Sequence, residues 1–452
     1  MRRFVAALLF LMLLATPATL ARAAPDEPGR FSGTLADGAP YLIDLPAGWN
    51  GTLLLYSHGY VTPGARKPGA AAADAPEARS KAWLLAHGFA LAGSSYAADG
   101  WAVSEALTDQ MGVLKEFTRL TSRSPLRTIA WGHSMGGLIS AALVERHPDA
   151  FAGALPMCGV VAGSTPFLNT RFDLLFAFKT LLAPSSTSLQ ITGITDAQSQ
   201  SQLAVALLEA AQETPLGRAR IALVADIAEI PGWFGRTVPQ PAQSDAGARE
   251  VAQYNWLKTV GVSRFSFDAA AEIEMRAHGS PSSNAGVNYS TLFAGTRDRS
   301  EVEALYAIAN NSLARDLAKL DAAPRVNATP TAVDYTSRFT DLTGKIAVPV
   351  LSIHTTADGL VPVGNETAYA ALVHASGKTP LLHQAFVARS GHCAFTPGET
   401  IAALEGLLAR IDSGSWDAKE TPAGLNAAAA GLGPDFSEQP AFVQFTPPAF
   451  SR

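Results

Sequence analysis

The chain has 452 residues, 48% of them hydrophobic and 16% charged, which excludes a disordered protein and leaves ample material for a large buried core. A formal charge of -5 carries no basic footprint and argues against a nucleic-acid partner. Two cysteines without a CxxC pair leave no framework for zinc or an iron–sulfur cluster, and glycine and alanine recur without the period of a collagen, coiled coil or solenoid.

The amino terminus reads as a leader. Arg2 and Arg3 precede the apolar run Phe4–Leu14, Pro17 follows, and Ala21-Arg22-Ala23 offers the small residues a signal peptidase reads. The run is too short for a bilayer span, and no cysteine near the cut offers a lipid attachment point. The expectation is therefore a signal peptide over residues 1–23 and a secreted mature chain, periplasmic or extracellular, with no stable membrane insertion.

After the leader, Phe31–Leu35 and Tyr41–Leu45 read as short strands joined by the turn Ala36-Asp37-Gly38. Thr52–Tyr56 is a continuous apolar run of the kind found in parallel strands buried on both faces, and it ends at His58-Gly59-Tyr60. A helix around Ala82–Ala86, a strand Phe89–Ser94, a helix around Leu107–Leu120 and a strand Leu126–Trp131 follow. The helix Leu138–Arg146 stops before His147-Pro148, and Phe151–Met157 is another strand. This alternation implies a mostly parallel sheet with helices on both faces.

From about Ser164 to Asp341 the text is helical, with apolar faces at Leu174–Leu182, Leu203–Ala211 and Ile221–Ile230. The sheet pattern resumes at Val348–His354 and Leu382–Val387. A closing helix begins with Thr396 as N-cap, Pro397 in the first turn and Glu399 completing a capping box. The expected organisation is a core in two parts, 24–164 and 344–412, a mainly helical cap over 165–343, and an irregular tail over 413–452.

A serine hydroxyl becomes a nucleophile only beside a base that a third group orients, and the reaction needs two N–H donors for the oxyanion. Gly132-His133-Ser134-Met135-Gly136 sits between a predicted strand and a predicted helix, which makes Ser134 the candidate nucleophile. In the chain order serine, acid, histidine, the acid is Asp358, just past the strand Val348–His354, and the base is His392 in Ser390-Gly391-His392-Cys393. Asp358 read otherwise is an Asp-Gly turn residue. The rival histidines are weaker: His354 and His383 fall inside strands, His87 and His374 near helix ends, and His133 inside the turn. The oxyanion donors are the Met135 N–H, which heads the helix, and the Tyr60 N–H with Gly59 next; His58 ties that loop down.

With these residues in order, the chain resembles the α/β-hydrolase superfamily: HG after the third strand, G-H-S-M-G-G, D-G-L-V-P and G-H-C-A-F arrive in the family's sequence, over roughly 31–164 and 344–413. The resemblance implies the α/β-hydrolase fold, a Ser134–His392–Asp358 triad and an oxyanion hole at Tyr60 and Met135. S-M-G-G and H-G-Y also resemble lidless polyester hydrolases, from which the long insertion departs. The cysteine directly after the histidine resembles tannase and feruloyl esterase relatives, although their partner cysteine lies beside the serine, where this chain has His133. Export and the sheet-edge positions of Cys158 and Cys393 point to a Cys158–Cys393 disulfide clamping the His392 loop.

The function these readings imply is a secreted carboxylic ester hydrolase of esterase or lipase type, acting on a small-molecule or polymeric ester through an acyl-enzyme. The alternative is a prolyl-type serine exopeptidase of the same fold, with Glu272, Glu274 or Glu301 gripping the peptide amine; a binding module that kept the fold without catalysis is a third reading. Phe176, Phe178, Trp233, Phe234 and Trp256 either line the cap pocket or form the cap's own core. No cofactor or metal is expected, since no G-x-G-x-x-G or G-K-[ST] loop exists and the histidines lack ligand spacing.

Overall fold

The computed structural model describes residues 28–67, 69–437 and 439–452, so the expected leader over 1–23 lies outside the described residues. Nine strands form one sheet in the order β1-β2-β4-β3-β5-β6-β7-β8-β9. They are β1 Gly29–Thr34, β2 Pro40–Leu45, β3 Thr52–Ser57, β4 Ala90–Ser94, β5 Arg127–His133, β6 Gly153–Met157, β7 Val350–Ala357, β8 Leu382–Ser390 and β9 Phe442–Val443. The pairs β1/β2, β2/β4 and β8/β9 are antiparallel; every pairing between β4 and β8 is parallel.

Composition explains this layout. Every residue of β3 and β4 is buried, as continuous apolar runs require when helices cover both faces. β1 lies at the edge and is largely exposed. The hairpin between β1 and β2 turns where Asp37 Oδ1 accepts the Ala39 N–H at 3.1 Å, the local bond an aspartate brings to a turn. One face of the sheet is covered by α2 Val103–Thr121 and α3 Met135–Arg146, and the other by α1 Ala78–Ala86 and the closing helix.

Between β6 and β7 the chain leaves the sheet for nine helices: α4 Ser164–Leu182, α5 Ala197–Gln212, α6 Pro215–Ile227, α7 Ala246–Trp256, α8 Arg264–Arg276, α9 Tyr289–Ala294, α10 Arg299–Ile308, α11 Leu313–Ala322 and α12 Pro330–Thr340. These helices bury a hydrophobic core of their own, built around Leu174, Phe178, Leu223 and Phe267. The mainly helical cap insertion expected from the sequence is therefore a packed layer with its own centre.

Two elements depart from expectation. A helix α13, Gly364–Ala375, follows β7, and the tail after residue 413 is not merely irregular. After α14, Pro397–Ser413, whose capping box of Thr396 and Glu399 is present as read, the tail forms α15, Pro422–Gly431, and then β9. β9 pairs with the outer edge of β8, so its apolar residues are held by a strand far away in sequence, a signal no local pattern carries. The last residues continue to the cap, where the Ser451 N–H donates to Glu229 Oε1 at 2.6 Å and Arg452 Nε pairs with Asp173 Oδ2 at 3.0 Å.

The topology also prepares a site. The connection from β3 leads to β4 on one side, and the chain returns to β5 on the other. In such sheets the crevice at the carboxyl ends of the diverging strands is where ligands sit. Ser57, the last residue of β3, lies opposite Gly132, two residues before Ser134.

Candidate active site

Ser134 stands between β5 and α3 with φ 59° and ψ -124°, a backbone conformation that a side chain with a Cβ rarely adopts. The glycines flanking it permit the bend: a Cβ at either Gly132 or Gly136 would run into the Ser57 carbonyl. The strain lifts the serine hydroxyl above the sheet edge. There Ser134 Oγ lies 2.8 Å from His392 Nε2, and His392 Nδ1 lies 2.7 Å from Asp358 Oδ2. The second Asp358 oxygen accepts the Leu360 and Val361 N–H groups, both at 2.9 Å, so each carboxylate oxygen has fixed partners. Three residues read from separate motifs thus meet, in contact order, at one rim. Among the described residues, His392 is the histidine that hydrogen-bonds Ser134.

The surroundings of Asp358 were not legible in the sequence. His354, dismissed as a strand residue, is fully buried behind it. Its Nδ1 faces Glu366 Oε1 at 3.0 Å and its Nε2 faces the Val361 carbonyl at 2.9 Å, with Asp358 Oδ2 3.7 Å away. Both ring nitrogens face acceptors, an arrangement that an imidazolium satisfies with both of its N–H groups. Glu366 itself accepts hydrogen bonds from Ser352 Oγ and Gln384 Nε2, each at 2.7 Å. Burial disfavours the His354 cation, yet the Asp358 and Glu366 carboxylates override it and push the ring up to about 10. Burial likewise works against the Asp358 anion, and the charges and hydrogen bonds of His392 and His354 reverse this, holding the carboxyl well below the usual carboxylate range. The usable signal was burial: a histidine inside an apolar strand must find buried partners.

Tyr60 and Met135, the two oxyanion candidates, both lie against the serine. Met135 is the first residue of α3, and Tyr60 lines the same cavity as Ser134. The loop carrying Tyr60 approaches so closely that a Cβ on Gly59 would stand 3.2 Å from Ser134 Cβ. His58 anchors this loop, with Nδ1 2.6 Å from the Gly59 carbonyl and its ring stacked on Tyr96 at 4.0 Å.

Cys158, directly after β6, and Cys393 form a disulfide with their Cα atoms 5.3 Å apart. It ties the histidine loop to the strand beside the nucleophile, and Cys393 Sγ touches His392 Nε2 at 3.4 Å. Among the described residues, the one group spaced to ligate a metal is Cys158, His392 and Cys393, and the disulfide removes two of those ligands. Replacing both cysteines by alanine is expected to lower unfolding stability by about 2–4 kcal/mol and, through a looser His392, kcat by about 10–100-fold. Urea melts and ester turnover on the same preparation check this; unchanged kcat with lowered stability would leave the disulfide a staple only.

Ser134 opens into a cavity of about 110 Å³ between the sheet edge and the cap. One wall is a face of α4, with Phe167, Leu168, Arg171, Phe172 and Leu175 at helical spacing; the opposite wall is α8, with Phe265, Ala269, Ala270, Ile273 and Glu274. The aromatic residues proposed from the sequence lie elsewhere. Phe176, Phe178 and Trp256 are buried in the cap's own core and Phe234 packs edge-on against Trp256. Trp233 lines a larger cavity of about 220 Å³ on the far side of Asp358, together with Asp226, Glu229 and tail residues 448–451. The helical period identified apolar faces correctly, but it could not say which face met the serine and which met another helix.

The three glutamates weighed for amine recognition are also placed. Glu272 accepts the Trp101 N–H at 2.9 Å and pairs with Arg276 at 2.7 Å; Glu301 is buried against Arg249 at 2.7 Å. Glu274 reaches the cavity wall but accepts the Gly193 N–H at 2.7 Å.

Known proteins share parts of this arrangement. A family described as serine aminopeptidase, S33, matches residues 92–238, a third of the chain that holds Ser134 but neither Asp358 nor His392. An o-phthalyl amidase of Xanthobacter agilis is 28% identical over 429 residues, covering 88% of this chain and 90% of its own. Among solved structures, feruloyl esterase B from Aspergillus oryzae shares 13% identity over 86% of this chain and 81% of its own, with a TM-score of 0.41. The acylaminoacyl peptidase of Pyrococcus horikoshii shares 10% identity over 86% of this chain, with a TM-score of 0.36, and this chain spans 40% of that longer one. Likenesses at those TM-scores carry no argument about what is hydrolysed. No helix among the described residues is long and apolar enough to cross a membrane.

Proposed function

We propose that this chain, a serine hydrolase of the α/β-hydrolase superfamily, is an exported enzyme that cleaves carboxylic esters of small, largely apolar acids through an acyl-enzyme on Ser134. The observation that supports it is the hydrogen-bonded run Ser134–His392–Asp358 opening on a small, mainly apolar cavity. Ser134 Oγ attacks the carbonyl carbon while its proton passes to His392 Nε2, and the carbonyl electrons move onto oxygen. The Met135 and Tyr60 N–H groups receive that oxyanion. His392 then returns the proton to the departing alcohol. In the second half, His392 takes a proton from water, the hydroxide releases the acid, and Ser134 regains its hydrogen. Asp358 accepts from His392 Nδ1 throughout, holding the tautomer and stabilising the imidazolium.

The cap, taken as 165–343, supplies the acyl cavity, and the core parts 24–164 and 344–412 supply the reacting groups. A cavity of about 110 Å³ is near the size of one that holds a single aromatic ring (~150 Å³). It suits a short chain or one ring and not a long lipid tail. Export accords with the Arg2, Arg3 and Phe4–Leu14 leader pattern and with the Cys158–Cys393 disulfide.

A second reading, amide cleavage, is favoured by the o-phthalyl amidase relative, because the same acyl-enzyme forms from an amide once His392 protonates the departing amine. The exopeptidase reading is weaker, since Glu272 and Glu301 are already paired with arginines and the Glu274 carboxylate holds a backbone N–H. A ladder of 4-nitrophenyl esters from acetate to laurate, with benzoate and matching 4-nitroanilides, tests the ester and amide readings. Turnover is expected to peak at short acyl groups and benzoate and to fall at least tenfold by laurate. Undiminished laurate turnover would remove the small-acyl reading, and cleavage of anilides alone would move the assignment to an amidase.

A further inference from the structure

Arg171 stands out on the cavity wall. Phe167, Leu168, Phe172 and Leu175 form an apolar stripe on α4, and Arg171 interrupts it in the middle, facing the space that Ser134 also lines. Its Nη2 donates to Ser266 Oγ at 3.0 Å, and Ser266 in turn donates to the Val260 carbonyl at 2.5 Å. Its Nη1 is buried without a hydrogen-bond partner, and no ion pair joins Arg171 to any carboxylate among the described residues. The other charged residue of the cavity, Glu274, is held by the Gly193 N–H and does not pair with it. Desolvation, with no acid to offset it, pushes the guanidinium down to about 10. Buried arginines are normally paired, because an isolated charge in apolar surroundings is strongly disfavoured. An arginine on a substrate-cavity wall with one unpartnered guanidinium nitrogen and no acid beside it is suited to recognise a carboxylate.

We propose that Arg171 anchors a free carboxylate carried by the acyl group, so that the substrate is a half-ester or half-amide of a dicarboxylic acid with a small or aromatic body. This rests on the acyl-hydrolase reading and narrows its substrate class. The apolar walls take the body of the acyl group, Arg171 takes its acid, and Ser134 meets the remaining carbonyl. The carboxylate supplies the missing counter-ion, and a neutral acyl group leaves the cation buried and unpaired.

The test uses 4-nitrophenyl esters of benzoic acid and of its 2-, 3- and 4-carboxy derivatives, with spontaneous hydrolysis subtracted. Wild-type protein is expected to favour at least one carboxy isomer over benzoate by about 10²-fold or more in kcat/KM. Arg171→Met is expected to lower kcat/KM on the favoured carboxy ester at least tenfold more than on benzoate, chiefly through KM, and Arg171→Lys to recover part of the loss. A second readout needs no turnover: free phthalate, isophthalate or terephthalate raises the Tm of wild type and not of Arg171→Met. Absence of any preference together with absence of any Tm shift in wild type overturns the proposal, as does an equal loss on benzoate and carboxybenzoate in the variant. Should Arg171→Met not fold, the wild-type preference and melts decide alone. Fluorophosphonate labelling of Ser134 separates the two levels: labelled protein that ignores the carboxylate loses only the Arg171 assignment, whereas unlabelled folded protein loses the hydrolase reading itself.

Discussion

Ser134→Ala is expected to lower kcat on 4-nitrophenyl esters by about 10⁶-fold while leaving the fold intact. The hydroxyl is the only group the substitution removes, and its hydrogen bond to His392 Nε2 sits at the rim and not in the core. The alanine Cβ meets the same left-handed backbone that the serine already tolerates, so no new strain arises. What is lost is the covalent route; the remaining turnover comes from water attacking a bound, polarised ester. Near-ultraviolet circular dichroism and melting temperature should match wild type, and fluorophosphonate labelling should vanish. Turnover retained within tenfold would remove Ser134 from the mechanism.

Asp358→Asn is expected to cost about 10⁴-fold in kcat. The wild-type carboxylate answers two demands with two oxygens: Oδ2 for His392 Nδ1, and Oδ1 for the Leu360 and Val361 N–H groups. An amide has one oxygen. If it keeps the backbone pair, its NH₂ faces His392 Nδ1 and drives the ring to the tautomer whose Nε2–H points at Ser134, so the serine proton has nowhere to go. If the amide turns over, two buried N–H groups lose their acceptor, which costs stability. Behind it, the His354 imidazolium loses one of its two anions and leans on Glu366 alone. The pH profile separates these outcomes: partial recovery of rate at alkaline pH marks the tautomer effect, and a lowered Tm marks the turned amide. Wild-type kcat in a stable Asp358→Asn protein would mean that another group orients His392.

Much of this was written in local patterns. The G-H-S-M-G-G turn identifies itself because glycine spacing, the end of an apolar run and the start of a helix coincide at Ser134, and only a strained strand-to-helix turn asks for all three. Asp358 and His392 are legible for a related reason, since each lies within two residues of a strand end and strand ends in a parallel sheet face the same crevice. The two cysteines could be paired because both were expected at the carboxyl edge of the sheet.

His354, Arg171 and β9 were not legible. His354 lies in a strand whose other residues are apolar, and the text cannot show that Glu366, on the following helix, comes back beneath it. Arg171 reads as an ordinary charge on a helix, where a solvated position is the default; only the packing of α4 against α8 over Ser134 turns that face inward. The expected pocket aromatics failed for the mirror-image reason, because Phe176 and Phe178 lie in the cap's own core on the same helix whose Phe167 lines the cavity at Ser134.

The sequence by itself determined the alternation of strands and helices, the nucleophile turn and the order of acid and base, because each depends on periodicity or turn chemistry within a few neighbouring residues. Tertiary structure decided which apolar faces enclose the serine, which buried charges are neutralised and which are left waiting, and where the tail closes the sheet. Those outcomes depend on contacts between residues far apart in the chain, and whether a buried charge is paired or lacks a counter-ion is a property of what stands beside it in space.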